Sequence, residues 1–131
     1  MAFEQNIRPI SGPAGADLSS HQWGLVKVGA DGFVKTGAGE QAIGVLQNKP
    51  EKDQVATVAT SGVSVCKAGG AIAAGDEVTS DSSGLAVKAT DGDLVIGTAA
   101  SAAANSGELF ELVVGVPTGL VSVAESGNGE G

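Results

Sequence analysis

The chain has 131 residues, a single cysteine and a formal net charge of −8. A length of this order forms one domain that removes roughly two-thirds of its unfolded surface from water without cross-links, and one cysteine excludes an intrachain disulfide. Seven basic residues against fifteen acidic ones repel phosphate backbones, and one Trp, three Phe and no Tyr supply no stacking platform, so nucleic acid is excluded as a partner.

In chain order, residues 1–20 (MAFEQNIRPISGPAGADLSS) come first, with Pro9, Pro13 and little periodicity. Met1 leads into Phe3-Glu4-Gln5-Asn6, neither basic nor apolar, and no later apolar run approaches the roughly 18 residues of a membrane span, so a cleaved signal and a membrane partner are not expected. The prolines resist helix and central strand alike, which predicts an extended N-terminal arm with Phe3, Ile7, Ile10 and Leu18 as apolar anchors. A β-rich body follows over 21–121. Its short Val/Ile/Thr runs, separated by Gly, Asp and Ser, predict strands at Leu25–Val28, Phe33–Thr36, Ala42–Gln47, Gln54–Thr60, Val63–Lys67, Glu77–Ser80, Leu85–Lys88, Leu94–Ala99 and Glu108–Val114. Alanine density predicts a helical turn or two at Ala99–Asn105. Residues 122–131, Gly-rich and acidic, are expected to form a flexible tail.

Two predicted hairpins superimpose without a gap: LVKV-GADG-FVKT (Leu25–Thr36) and EVTS-DSSG-LAVK (Glu77–Lys88). Each loop ends in a glycine, Gly32 or Gly84, where a left-handed backbone is expected. Each hairpin is followed by an Ile-Gly pair, Ile43-Gly44 or Ile96-Gly97, and then by a further strand. The offset is 77 − 25 = 52 residues at the hairpins and 96 − 43 = 53 at the Ile-Gly pairs. Two related β-units explain this, with Gly44 and Gly97 bending equivalent strands; the competing reading is chance similarity in a chain rich in Gly, Ala and Val. Two units are too few for a solenoid, so the expected fold is all-β, a small glycine-rich β-barrel or sandwich.

Chemistry is sparse. His21 and Cys66 are the only histidine and cysteine, too few for a structural zinc site. In VSVCK, alternation puts Cys66 on one face with Ser64, a packing position; His21 reads as a surface or interface residue at the end of the arm. Asp76, Glu77, Asp81, Asp91 and Asp93 lie near turns without the spacing of a calcium loop. No phosphate-cradling or nucleophile motif occurs, so no cofactor, metal or catalytic residue is expected. The segment KAGGAIAAGDEV is similar to the strand-turn pattern of biotinyl and lipoyl carrier domains, which would make a carrier or other small β-barrel binding module the alternative; the nearest downstream lysine, Lys88, is too distant for that pattern.

Taken in order, ADLSSHQWGLVKV, AIGVLQNKP, VATVATSGVSVCKAGGAIAAGDEVTSDSSGLAVKA and GDLVIGTAASAAANSGELFELVV resemble the small capsid decoration, or cement, proteins of tailed bacteriophages, from Ala16 to Val114. The resemblance implies a non-enzymatic, β-rich homotrimer that binds the major capsid protein on the outer surface of the assembled head, over threefold and quasi-threefold positions. It further implies synthesis in the host cytoplasm and residence in the virion, and it agrees with the arm read from the residues, whose anchors Phe3, Ile7, Ile10 and Leu18 are expected to contact capsid or a neighbouring subunit.

Overall fold

In the computed structural model, which describes residues 8–115, period-two alternation is clearest in the strand nearest the C-terminal end of that range. Along the last strand Phe110, Leu112 and Val114 point inward while Leu109 and Val113 are exposed. Ten strands follow in chain order: β1 (Pro9–Pro13), β2 (Leu25–Gly29), β3 (Gly32–Lys35), β4 (Gly44–Leu46), β5 (Val55–Ala59), β6 (Gly62–Lys67), β7 (Glu77–Ser80), β8 (Ala86–Lys88), β9 (Gly97–Ala99) and β10 (Leu109–Val114). There is no helix among the described residues.

The strands form two antiparallel five-stranded sheets, ordered β1-β5-β4-β2-β3 and β6-β10-β9-β7-β8. Counted within each half, both orders are first, fifth, fourth, second, third: the chain is two copies of one β-unit. The registers repeat as well. Val26 faces Gly44 as Val78 faces Gly97, Val28 faces Phe33 as Ser80 faces Ala86, and Gly12 faces Ala56 as Cys66 faces Phe110. In each copy the first and third strands are joined by one parallel bridge, Ala14 to Phe33 or Ala68 to Ala86. The Gly15 N–H donates to the Phe33 carbonyl at 2.8 Å and the Gly69 N–H to the Ala86 carbonyl at 2.7 Å. That single bridge draws the two outer strands of each sheet together and curls the sheet into a small barrel.

Each barrel has its own core. Ala14, Leu18, Val26, Phe33, Leu46, Ala56 and Val58 fill the first, and their counterparts Ala68, Ile72, Val78, Ala86, Ala99, Phe110 and Leu112 fill the second. The two differ by an exchange of large and small. Phe33 on the third strand meets Ala56 in the first barrel, with its ring packed over Gly12; in the second, Ala86 stands at the third strand and Phe110 comes from the fifth. A phenyl ring fills each small barrel, delivered from a different strand, so volume is conserved while sequence is not. Leu25, Ala42 and Val45 of the first copy join the second core and weld the barrels together.

Glycines set the closest approaches. Gly32 and Gly84 end their hairpin loops at φ +134° and +76°. Gly44 and Gly97 have no left-handed φ; a Cβ at either would run into the carbonyl of Ala59 or of Val113, on the neighbouring fifth strand of its copy. The constraint is close backbone packing, a different cause from the bend expected of them.

Three expectations are corrected. The N-terminal segment is extended, but over Pro9–Pro13 it pairs with β5 as the outer strand of the first sheet, and Leu18 is buried, so residues 9–18 belong to the first barrel and not to a separate arm. Pro9 and Pro13 are tolerated because they stand at the ends of a strand that is last in its sheet order. The helical turn at Ala99–Asn105 does not form: Ile72 and Ala103 exchange backbone hydrogen bonds of 2.8 and 2.9 Å, and tertiary pairing overrides alanine's helix propensity. Predicted strands Ala42–Gln47 and Leu94–Ala99 begin only at Gly44 and Gly97. The tail at 122–131 lies outside the described residues.

Candidate functional site

Of the four apolar anchors, Phe3 and Ile7 lie outside the described residues, Ile10 is exposed on β1, and Leu18 sits in the first core. Ile10 and Leu18 therefore do not share one surface. Lys88 ends β8 in solvent. Cys66 is fully buried and burial pushes its thiol far above the ordinary cysteine range, so it packs as a small apolar residue. Among the described residues no group of His, Cys, Asp and Glu could hold a metal ion.

His21 is buried, against its expected surface position. Its imidazole lies against Gly24 and Gly84, where any Cβ would collide with the ring, and its Nε2 donates to the Leu25 carbonyl at 3.0 Å. Burial lowers its pKa, more than the Leu25 hydrogen bond raises it, and the nearby charges of Lys35 and Lys67 lower it further. A neutral ring thus clasps the seam. The same loop supplies two further seam contacts: the Leu25 N–H donates to the Gly84 carbonyl at 2.7 Å, and the Trp23 carbonyl accepts from the Lys67 N–H at 2.8 Å.

Above this seam opens a cleft of about 270 Å3 lined by Ser19, Ser20, Gln22, Trp23, Lys49 and Lys67. Three attachments hold its walls. Gln22 Nε2 donates to the Gln47 carbonyl at 3.0 Å; Asn48 Nδ2 donates to Val55 and Asn48 Oδ1 accepts from Thr57, fixing the turn that carries Lys49; and Trp23 holds the Lys67 backbone. Lys49 and Lys67 come from opposite copies and neither ammonium has an ion-pair partner among the described residues. Lys27, by contrast, pairs with Glu40 at 2.6 Å on the surface.

Trp23 has φ 71°, a left-handed backbone that costs a bulky residue on the order of 1–3 kcal/mol. Its counterpart is Gly75, at φ 93°: the Trp23 N–H donates to Leu46 and the Gly75 N–H to Ala99, both at 2.8 Å. The second copy meets the same backbone with the residue that suits it. Sequence reasoning did not find this cleft, because its lysines are separated along the chain and only the duplicated topology brings them together.

Exposed apolar side chains are the other surface feature. Val55 and Leu109 occupy the same position in the two copies, at 61% and 47% exposure, with Val28 and Val113 also open to solvent.

A tandem pair of small closed β-barrels, joined through a shared core, is the class that fold and seam define. The chain belongs to the phage cement protein family, whose profile matches residues 13–117. Membership carries a capsid-associated structural role and a place in the virion. Among solved structures, the N base of the head fiber gp8.5 of bacteriophage phi29 superposes with a TM-score of 0.64 at 21% identity, over 83% of this chain and 94% of that one, a likeness of fold. No curated protein sequence matches the chain.

Proposed function

We propose that the protein binds the major capsid protein on the outside of an assembled phage head, as a homotrimer over threefold and quasi-threefold positions, and stabilises the shell without catalysing a reaction. The cement-family match across 13–117 carries this reading. Exposed Val28, Val55, Leu109 and Val113 supply apolar surface for a partner to cover, and an acidic chain favours protein over nucleic acid as that partner. Mixing the purified protein with heads that lack it tests the proposal. The protein is expected to sediment with the heads, to appear as threefold density in reconstructions, and to raise the temperature at which the heads release DNA. Failure to sediment, or density away from threefold positions, overturns it.

A further inference from the structure

The protein holds its only tryptophan in a backbone conformation for which its own second copy uses glycine. Backbone strain of this kind persists where the surroundings enforce it, and it clusters at contact sites. Trp23 is half-buried at the cleft, with no partner for its indole N–H among the described residues. Lining the same cleft are Lys49 and Lys67, without an ion-pair partner among the described residues of a chain whose acidic residues outnumber its basic ones fifteen to seven. Such an excess of carboxylates could have neutralised both, yet no carboxylate among the described residues pairs with either ammonium, and both line one cleft with an indole.

We propose that the cleft formed by Trp23, Lys49 and Lys67 receives a carboxylate-bearing loop of a partner polypeptide in the head shell. The ammonium groups would take the carboxylates, Ser19, Ser20 and Gln22 would supply further hydrogen-bonding groups, and the indole would cover the apolar part of the loop. The partner's identity rests on the capsid-binding reading; the chemistry of the cleft stands on its own residues. Because Lys49 and Lys67 belong to different copies, occupancy also bridges the seam, so a bound loop would hold the two barrels together.

Two measurements test this separately from the capsid reading. In the first, hexaglutamate is titrated into the isolated protein while the emission of Trp23 is followed. A saturable change is expected at low salt, absent with hexalysine and absent in the Lys49→Gln/Lys67→Gln variant. In the second, sedimentation with undecorated heads is compared for wild type, that variant and Trp23→Gly. The last places in the first copy the residue found at Gly75, so it is expected to fold with an unchanged or higher Tm and yet bind heads about tenfold more weakly, as is the double lysine variant. Wild-type affinity for heads in both variants overturns the proposal and leaves the capsid reading intact. If the wild-type chain itself does not sediment with heads, the capsid reading fails and hexaglutamate decides alone: a saturable response supports the cleft, and no response overturns it. Self-association of the isolated protein that is lost in the lysine variant overturns the head-shell partner in favour of a second copy of this chain.

Discussion

Asp53 and Gly107 are one position in two copies: each donates its N–H to the carbonyl of the alanine that follows the first strand, Ala14 at 2.8 Å and Ala68 at 2.7 Å, and each has a left-handed backbone, at φ 72° and 90°. Neighbouring contacts repeat too, since Gln54 Oε1 accepts from Glu51 N–H as Glu108 Oε1 accepts from Ala104 N–H, each at 2.8 Å. The left-handed φ belongs to the architecture, and the first copy meets it with Asp, one of the few side chains that tolerate it. Asp53→Gly is expected to keep stability within about 0.5 kcal/mol of wild type or to raise it, because relief of strain offsets added unfolded-state entropy. Asp53→Val is expected to cost about 2 kcal/mol. Urea unfolding of both variants measures this, and a large loss in the glycine variant would show that the Asp53 side chain, not its backbone, matters.

At Gly44 and Gly97 the obstacle is a carbonyl oxygen on the adjacent strand, which has little room to retreat without breaking sheet pairing. Alanine at either position is therefore expected to destabilise the protein by about 2–4 kcal/mol, more than Gly to Ala in an open strand. Equal losses at the two sites, read by thermal unfolding, are the signature of equivalent positions. A neutral Gly97→Ala would mean that the second barrel relaxes where the first cannot.

The exchanged phenylalanines make a double-mutant cycle. Phe33→Ala empties the first core and is expected to cost about 3–4 kcal/mol; Ala56→Phe overfills it and is expected to cost about 1–3 kcal/mol. Together they reproduce the arrangement of Ala86 and Phe110, and the ring released from β3 is replaced from β5. The double variant should be more stable than the sum of the single losses by at least about 1 kcal/mol. Additive losses would show that the two positions do not share one space.

The hairpins and the Ile-Gly pairs were legible in the sequence because their glycines answer backbone constraints that both copies share, and those constraints survive drift in the side chains. The first strand was not legible: Pro9 and Pro13 read as breakers, although Pro13-Ala14-Gly15 and Lys67-Ala68-Gly69 carry the same Ala-Gly pair after corresponding strands. Including that pair would have extended the repeat through β1 and moved Leu18, the counterpart of Ile72, into the core. The exchange of Phe33 and Ala56 for Ala86 and Phe110 hid the rest, since matching residue by residue sees two mismatches where the barrel sees one volume. Trp23 gave no sign of its conformation, which only comparison with Gly75 exposes.

His21 makes stability depend on pH. Its pKa is lowered in the folded protein, chiefly by burial, so below the ordinary histidine value the unfolded chain binds the proton more readily than the folded one. The stabilisation is fully present above about pH 6.5, declines as pH falls through that value toward the folded pKa, and levels off below it. A His21→Gln variant should be less stable at pH 7.5 and should lack this slope. Melting temperatures from pH 7.5 to 5 for both proteins provide the check; parallel curves would assign the pH dependence to carboxylates.

Leu18 and Ile10 separate barrel from contact surface within the N-terminal segment. Leu18, at 1% exposure, shares the first core with Val26 and Phe33, and its N–H donates to the Pro50 carbonyl at 2.9 Å. Truncating it opens a cavity among fixed strands, so Leu18→Ala is expected to cost about 2–4 kcal/mol. Ile10, at 39% exposure on β1, loses little when truncated, and Ile10→Ser should stay within about 1 kcal/mol of wild type. Deleting residues 2–18 removes β1 and with it the strand that covers β5, so the deleted protein should lose its cooperative transition. If Ile10 also touches the head, Ile10→Ser should weaken sedimentation with undecorated heads while its Tm stays near wild type. Normal head binding by Ile10→Ser would remove β1 from the contact surface, and a cooperative transition in the deletion variant would show that the first barrel can close without its first strand.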